Sequence, residues 1–442
     1  MKCLHWILFL VLIHVSLTFP FIWIQQTGLD FDEKSFYIPA IHQIRSHWPQ
    51  VDMVRDSFAA MPPGYPYFLA TVSIFTGTDL IALRLVNDAV SLSAIVLFFL
   101  WLGRYLSSAN AFLFTLPLAL NYFFLRASFR VVTDNAGLVL VVAALACLFL
   151  LPVSGYRGTA AGILSTMVVA TRQLHLWLVA PGLLQLFLAG SERETVTSGS
   201  PVQAPAWWKT YGLGLISRLL PLVLIAYLIY LWHGLVPPRW QVVSTQISLA
   251  PISYLLAVAG LTGPFFLLSL WSTIRRNLLR DGWVIGAMLL GFTVTLVSPN
   301  TYDYAAGRWG GFLWLFVLHM PAIDHRSIFF MLFSPIGTGT IGLIFRLLWI
   351  SGQRNEALLW GCSVCGWMST FVVNRQVFHR YYEPMLLVFF AIGCACLLGN
   401  IDGYKLRRWP ILVLICLEFT VSCVEIYFKP LFLEWKWIVG GL

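Results

Sequence analysis

The chain has 442 residues, of which 59% are hydrophobic and only 11% are charged. Soluble domains carry about 25% charged residues, so a water-soluble fold is excluded and lipid must cover much of the surface. The net charge of +9 comes from short basic clusters between apolar runs, as the positive-inside rule produces. No basic and aromatic stripe suited to nucleic acid occurs. The composition therefore predicts a multi-pass membrane protein with no nucleic-acid partner.

Apolar runs recur along the whole chain. Each is predicted to be a helix, because lipid offers no water to an open backbone. The runs lie near residues 4–24, 80–103, 109–125, 134–152, 159–172, 174–190, 211–232, 249–272, 284–298, 310–321, 328–350, 357–373, 384–400 and 410–428. The first is interpreted as an uncleaved helix, since it lacks a signal-peptide cleavage site. This pattern predicts an all-α fold, a polytopic bundle with about 12 or 13 spans of sufficient length.

The connections alternate in character, and this alternation predicts the topology. Basic inside loops are expected at 191–210, 273–281 and 402–409, while acidic and aromatic outer loops are expected at 25–66, 233–246, 298–309 and 374–384. Two crossings between 310 and 350 would place the loop at 374–384 inside and the loop at 402–409 outside, against their composition. One segment in that interval is therefore predicted not to cross. We interpret residues 1–442 as a single integral membrane domain.

The first outer loop, residues 25–66, carries three carboxylates: Asp30, Asp32 and Glu33. Partial burial near the headgroups would raise a carboxylate's pKa and make it a usable general base. The plainer interpretation is a solvated acidic turn. Three apolar residues at helical spacing, Ile41, Ile44 and Trp48, predict a short amphipathic helix lying on the membrane. The loop ends in the stiff, non-helical stretch Pro62, Pro63, Gly64 and Tyr65.

Polar residues at the ends of later apolar runs are further candidates. Arg172 and Gln173 follow the run at 159–172, where the alternative is an arginine extending to the interface. Asp134 opens a helix, where its simplest role is an N-cap. Arg84 lies four residues before Asp88, a spacing that allows an ion pair on one helix.

These motifs, taken in order, resemble a known family. They are Asp32-Glu33 followed by Tyr37-Ile38-Pro39, then Pro62-Pro63-Gly64-Tyr65, Val132-Thr133-Asp134, Ala170-Thr171-Arg172-Gln173 with Trp177, the stretch 299–312 with Asp303 and Arg308, and Arg380-Tyr381-Tyr382-Glu383-Pro384. The set is similar to the dolichyl-phosphate-glucose alpha-1,2-glucosyltransferase family of the GT-C superfamily. Tyr37 stands where that family has histidine. One additional residue before Pro39 leaves open whether Asp32 or Glu33 matches the family's base.

The resemblance implies a GT-C-type bundle whose extended first outer loop carries short surface helices. It implies transfer of a hexose such as glucose from a polyprenyl or dolichyl phosphate to a hydroxyl of a lipid-linked oligosaccharide or other glycan, with inversion. The implied base is Asp32 or Glu33, supported by Asp30. The implied donor-phosphate group is Arg172, Gln173, Asp303, Arg308, His379, Arg380, Tyr381 and Tyr382. The implied loop scaffold is Tyr37, Pro39, Pro62, Pro63, Gly64 and Tyr65.

The implied location is the endoplasmic reticulum membrane in a eukaryote, or the inner or plasma membrane in a prokaryote, with a lumenal or periplasmic site. Two alternatives stay open: a GT-C transferase for another sugar or acceptor (mannose, aminoarabinose, protein or lipid A), and a transporter or lipid flippase. No cofactor is required. No histidine spacing forms a metal-binding face, and the pair Cys362 and Cys365 lacks a completing ligand set. The sequence thus predicts no metal site, although it leaves divalent-cation dependence open.

Overall fold

The computed structural model describes residues 3–24, 30–151, 157–196, 207–241, 247–271, 281–308, 312–373, 377–399 and 406–428. Parts of the loops predicted at 25–66, 191–210, 233–246, 273–281, 298–309, 374–384 and 402–409 lie outside these ranges. Eight helices in the described part are long and apolar enough to cross a membrane, or nine if one bent pair forms a single span. The prediction of an all-α, polytopic membrane protein is confirmed.

In chain order the α-helices are α1 (Leu4–Ile24), α2 (Ile38–His47), α3 (Gly64–Thr76), α4 (Leu80–Leu102), α5 (Ser108–Ala119), α6 (Tyr122–Ser128), α7 (Asp134–Leu150), α8 (Arg157–Thr171), α9 (Val179–Val196), α10 (Trp207–Trp232), α11 (Ala250–Ser269), α12 (Gly282–Val297), α13 (Phe312–Leu318), α14 (Ile328–Ile350), α15 (Arg354–Ser369), α16 (Glu383–Gly399) and α17 (Trp409–Cys423). Single turns of π-helix cover Glu33–Tyr37 and Val424–Phe428. Short 3-10 helices cover Gln173–Leu178, Pro238–Trp240, Thr370–Val373 and His379–Tyr381. An antiparallel hairpin pairs β1 (Ala322–Ile323) with β2 (Arg326–Ser327).

The number of crossings depends on the shorter helices. The bent pair is α5 and α6, which meet at 76°, and four shorter apolar segments lie in α7, α8, residues 173–189 and α12. The predicted 12 or 13 spans are reached only if these shorter segments also cross. Helix α16 lies at the centre of the bundle, with 89% of its apolar window buried. Its apolar residues need no amphipathic stripe, because protein surrounds them on all sides.

The helix predicted in the first loop exists as α2, but its apolar side meets protein rather than the membrane. Ile41 and Ile44 are completely buried in a cluster with Leu69 of α3 and Leu83 of α4. Trp48 lies just past the helix end, where its Nε1–H donates to Thr71 Oγ1 at 3.1 Å. The predicted short helix is therefore present, and within the described residues α3 and α4 supply the apolar surface against which Ile41 and Ile44 pack.

The expected ion pair between Arg84 and Asp88 does not form. Asp88 instead contacts His14 of α1, with Oδ1 2.9 Å from Nε2. Arg84 reaches Glu33, with Nη2 2.7 Å from Oε2. Residues four apart on a helix gain only about 0.2–0.5 kcal/mol from a pair, so tertiary partners readily replace that contact.

The interval from 310 to 350 contains one segment that crosses. Helix α13 has seven residues and is about 10 Å long, far short of the roughly 30 Å hydrocarbon core. The hairpin then returns to the end of α12, because Asn300 Oδ1 accepts from the Ser327 amide at 2.7 Å. Only α14 spans this interval within the described residues. Arg380 consequently lies at the same end of the bundle as the first loop.

Candidate active site

A cavity of about 610 Å³ opens where several helices end. We call it the main cavity. It lies between the first loop, the end of α6, the start of α7 and the turn before α16. Its charged side chains include Asp30, Asp32, Arg126, Arg130, Asp134 and Arg380, and its aromatic walls include Phe31, Phe36, Phe123, Trp240 and Phe378. Charged groups and an apolar wall therefore meet at one end of the membrane helices.

Asp32 lies on the wall of the main cavity. Its side chain is 22% exposed, and its Oδ2 accepts a hydrogen bond from Arg380 Nη1 at 2.8 Å. This single partner leaves Oδ1 available within the described structure. Asp32 thus combines access to the cavity with a fixed orientation.

Glu33 has the opposite environment, although it is the next residue. It is completely buried and accepts from Arg84 through Nε at 3.0 Å and Nη2 at 2.7 Å. The amides of Val131 and Asp30 also donate to it, at 2.8 and 3.0 Å. Four hydrogen bonds occupy its two oxygens, so Glu33 joins the first loop to α4 and to the segment after α6.

Asp30 is held by two arginines, Arg126 in the last turn of α6 and Arg130 just past its end. It forms an ion pair with Arg130 and a longer contact, 3.5 Å, with Arg126 Nη2. Burial raises the pKa of Asp30, but the charges of Arg130 and Arg126 outweigh it and hold the pKa below its usual 3.8. Arg126 keeps 42% of its side chain exposed, and it also donates to Tyr122 Oη at 3.0 Å.

A second charged group surrounds Tyr381. Arg172 Nη1 lies 2.7 Å from Asp134 Oδ1. The guanidinium carbons of Arg172 and Arg380 lie 4.8 and 5.3 Å from the Tyr381 ring centre, within cation–π range. Arg172 is only 5% exposed, so it does not extend to the interface. Asp134 makes an ion pair rather than the helix cap that its position allowed.

The other residues assigned by resemblance to the donor phosphate are placed in three ways. Gln173 Nε2 donates to the Ala60 carbonyl at 2.7 Å and so braces the first loop. His379 lines the cavity but is buried, stacked on Phe123 with ring centres 4.6 Å apart. Tyr382 is completely buried, and it is absent from the described lining of the cavity.

Asp303 and Arg308 pair with each other. Their side chains meet at 3.1 Å across a tight turn, joined by backbone hydrogen bonds in both directions. Neither is among the described residues that line the main cavity. Residue 307 accepts from the Val377 amide at 3.2 Å, so this turn supports the segment that leads to Arg380.

The scaffold residues of the first loop connect it to α4 and to the start of α7. Tyr37 is buried, its hydroxyl lies 3.1 Å from Thr133 Oγ1, and burial raises its pKa. Pro39 occupies the first turn of α2, and the buried Pro62 and Pro63 immediately precede α3. Tyr65 Oη donates to Asn87 Oδ1 of α4 at 2.6 Å.

Sequence reasoning did not identify Arg126 and Arg130, although both line the main cavity. One signal was available. Both lie between the apolar runs predicted at 109–125 and 134–152. If each of the first three predicted runs crosses the membrane, this interval lies on the same side as the first outer loop, where the positive-inside rule disfavours arginine. Basic residues there need another reason, and the carboxylate of Asp30 together with an anion-binding role would supply it. In the described residues, no group of three or more His, Cys, Asp or Glu side chains is placed to hold a metal ion.

No protein-family model and no curated protein matches the sequence. The chain is similar to solved structures of ArnT from Cupriavidus metallidurans. The apo form is 12% identical in sequence, and the match covers 90% of this chain and 78% of that chain with a TM-score of 0.42. The form bound to undecaprenyl phosphate is 11% identical in sequence, and the match covers 89% of this chain and 78% of that chain with a TM-score of 0.40.

A third similar structure is the archaeal oligosaccharyltransferase AglB from Archaeoglobus fulgidus, in complex with an inhibitory peptide and a dolichol-phosphate. It gives 15% identity and a TM-score of 0.44, over 96% of this chain and 56% of that chain. At these identities and TM-scores, none of the three structures assigns a family or an activity. The chemistry must be inferred from the site itself.

Proposed function

We propose that this membrane protein is a glycosyltransferase that moves a sugar from a polyprenyl-phosphate carrier to an acceptor hydroxyl. One observation carries the proposal: an accessible carboxylate, Asp32, shares a single cavity at the ends of the membrane helices with Arg126, Arg130 and Arg380. Sugar transfer from a lipid phosphate needs a base for the acceptor and cations for the departing phosphate. It also needs an apolar approach for the lipid, which the aromatic wall provides.

On the base side, Asp32 is the better candidate of the two adjacent acids. Its free Oδ1 takes the proton of the acceptor hydroxyl as that oxygen bonds to the anomeric carbon. Glu33 is fully occupied by four donors, and a proton taken up by either oxygen would face N–H groups that are already donating to it. One displacement at the anomeric carbon inverts its configuration.

On the phosphate side, the bond from the anomeric carbon to the phosphate oxygen breaks, and its electron pair leaves with the polyprenyl phosphate. Cationic donors lower the energy of this growing negative charge. Arg126 is the best placed, because it is the most exposed of the arginines in ion pairs around the cavity and its contact with Asp30 is long. The planar guanidinium matches phosphate oxygens.

The finer specificity rests on the motif resemblance. We propose a hexose such as glucose as the transferred sugar, a polyprenyl or dolichyl phosphate as its carrier, and a lipid-linked oligosaccharide as the acceptor. The corresponding membrane is that of the endoplasmic reticulum, or the inner or plasma membrane of a prokaryote, with the site on the lumenal or periplasmic side.

The test is sugar transfer by the purified full chain in lipid nanodiscs. Radiolabelled polyprenyl-phosphate glucose is supplied with lipid-linked oligosaccharide acceptors, and labelled product is separated from donor. We expect transfer by the wild type and a loss of at least about a hundredfold in Asp32→Asn, the scale of general-base catalysis. The matched control is Asp52→Asn, because Asp52 belongs to the same loop and accepts only local amides of Val54 and Arg55.

Two results would overturn the proposal. Full transfer by Asp32→Asn would show that Asp32 is not the general base. Absence of transfer with every sugar donor, together with movement of labelled lipid across sealed vesicles, would favour the flippase alternative.

A further inference from the structure

A smaller pocket adjoins the main cavity on the far side of Tyr381. We call it the inner pocket. It has a volume of about 50 Å³ and shares Phe123, Asp134, Arg380 and Tyr381 with the main cavity. Its remaining walls include Leu138, His175, Trp367 and Phe371. A group that reacts in the main cavity could therefore extend one substituent into the inner pocket.

The charges around the inner pocket are balanced in pairs. Arg172 is bound to Asp134 at 2.7 Å, and Arg380 is bound to Asp32 at 2.8 Å. A carboxylate or ammonium group entering the inner pocket would upset this balance in a partly apolar space. The electrostatics therefore favour an uncharged occupant.

The inner pocket nonetheless offers a hydrogen-bond donor. Trp177 Nε1 donates to His175 Nδ1 at 3.3 Å, so the neutral imidazole carries its hydrogen on Nε2. His175 lines the inner pocket, and its Nε2–H is the donor available to an occupant. Because the charged side chains around this pocket are paired with one another, an uncharged oxygen is the partner that suits this donor.

The size of the inner pocket limits the occupant further. One water requires roughly 10–15 Å³ of such space, so about 50 Å³ holds only a few waters and no sugar ring. We infer that the inner pocket receives the exocyclic hydroxymethyl group of the transferred sugar, and that it makes the enzyme select hexosyl over pentosyl donors. This inference rests on the proposed function.

The selection has a physical cause. A hydroxymethyl oxygen can accept from His175 Nε2–H, while its methylene contacts the apolar wall. A pentosyl donor leaves this N–H unpaired, and sites built to bind a substrate hydroxyl reject analogues that lack it by large factors. We expect a preference in kcat/KM of at least about a hundredfold, because the lost hydrogen bond adds to the roughly 10–200-fold effect of one missing methylene.

The experiment compares matched donors with the purified full chain. The pairs are polyprenyl-phosphate D-glucose against D-xylose, D-mannose against D-lyxose, and D-galactose against L-arabinose, all as pyranoses, so that each pair differs only in the hydroxymethyl group. Leu138→Phe places a larger side chain in the inner pocket without altering a residue of the main cavity. This variant should lower hexose transfer more than pentose transfer. Leu150→Phe is the control, since Leu150 lies on the same helix with 38% exposure and lines neither space.

The outcomes separate the inference from the proposed function. If no donor supports transfer, the proposed function fails. If transfer occurs but the wild type uses each hexose and its pentose equally, the inner pocket does not select the hydroxymethyl group, and the inference fails. The ratio of kcat/KM for hexose to kcat/KM for pentose in the wild type decides this even where Leu138→Phe does not fold. His175→Ala gives a second test, because opening the inner pocket and removing its donor should bring this ratio toward one.

Discussion

At the scale of single residues, Asp32 and Glu33 show how neighbours in sequence can differ in chemistry. The first helical turn directs Glu33 inward to Arg84 and leaves Asp32 on the wall of the main cavity. Four donors occupy both oxygens of Glu33, whereas Asp32 keeps one oxygen available. The two acids therefore divide structural and chemical roles, and their variants should fail in different ways.

Glu33→Gln should unfold more easily than the wild type. Breaking a buried ion pair by removing one partner costs about 3–5 kcal/mol, and the guanidinium of Arg84 would stay buried without its carboxylate. Thermal denaturation in detergent, followed by gel filtration, measures the loss. Asp32→Asn should remain near wild-type stability. Equal denaturation temperatures for wild type and Glu33→Gln would show that the buried pair contributes little.

Arg126→Gln should weaken binding of the donor. A hydrogen bond to a charged group contributes about 1.5–3 kcal/mol, so the KM for polyprenyl-phosphate sugar should rise about 10-fold to 150-fold. The stability should change little, since the side chain is 42% exposed. Arg104→Gln, at an exposed turn beyond the far end of α4, serves as the charge-matched control. An unchanged KM in Arg126→Gln would assign the phosphate to other residues.

The pair of Asp30 with Arg130 should make stability depend on pH only under acid conditions. Because the folded state lowers the pKa of Asp30 below 3.8, the pair's contribution is complete above 3.8 and is lost as pH falls through the folded pKa. Asp30→Asn should therefore be less stable than wild type at pH 5 to 7, with the difference closing toward pH 3. Denaturation temperatures across this range test it. A constant difference down to pH 3 would contradict the assignment.

At the scale of elements, the first loop is fixed by close packing as well as by charge. Gly64 begins α3 directly against the end of α8, where an added Cβ would lie 2.3 Å from the Ala170 carbonyl oxygen. Arg172 comes two residues after Ala170, immediately past the end of α8 at Thr171. The Pro-Pro-Gly stretch therefore sets the distance between the first loop and the arginine on the opposite side of Tyr381.

Gly64→Ala should displace α8 and reduce both stability and transfer. Overpacking of this kind typically costs about 1–3 kcal/mol, and here the obstacle is backbone rather than a flexible side chain. Gly286→Ala is the matched control, because nothing lies within 4 Å of its added Cβ. That variant should be neutral or slightly stabilising, since alanine favours a helix over glycine. Equal effects of the two changes on denaturation temperature would count against the packing argument.

The same elements show what sequence could and could not predict. Apolar runs gave the helices, because lipid and a buried bundle both demand them. The spacing of Ile41 and Ile44 gave α2 but not the protein surface that covers it. The partner of Arg84 was predicted wrongly. The sequence shows that Asp88 lies four residues away, but it does not show that the fold brings Glu33, fifty-one residues away, into contact with Arg84. The contact of Arg380 with Asp32 spans 348 positions, a separation that no local signal encodes.

At the scale of the whole molecule, the charged residues of the site collect at one end of the bundle. Arg84 lies near the start of α4, beside Glu33, and the 23 residues of α4 extend about 35 Å to the other end. The short α13 and the hairpin keep residues 298–308 and 312–327 at the same end as the first loop. Arg380 then approaches Asp32 because α14 and α15 cross and return.

This arrangement predicts which exposed positions share a side of the membrane. Cysteines introduced at Ser46 of α2 and at Tyr304 should react with a membrane-impermeant maleimide from the same side of sealed vesicles. A cysteine at Arg104, beyond the far end of α4, should react only from the other side. The wild-type chain provides the background from its eight native cysteines. Labelling of Tyr304→Cys and Arg104→Cys from one side would refute the topology of the chain up to α13 and the site built on it.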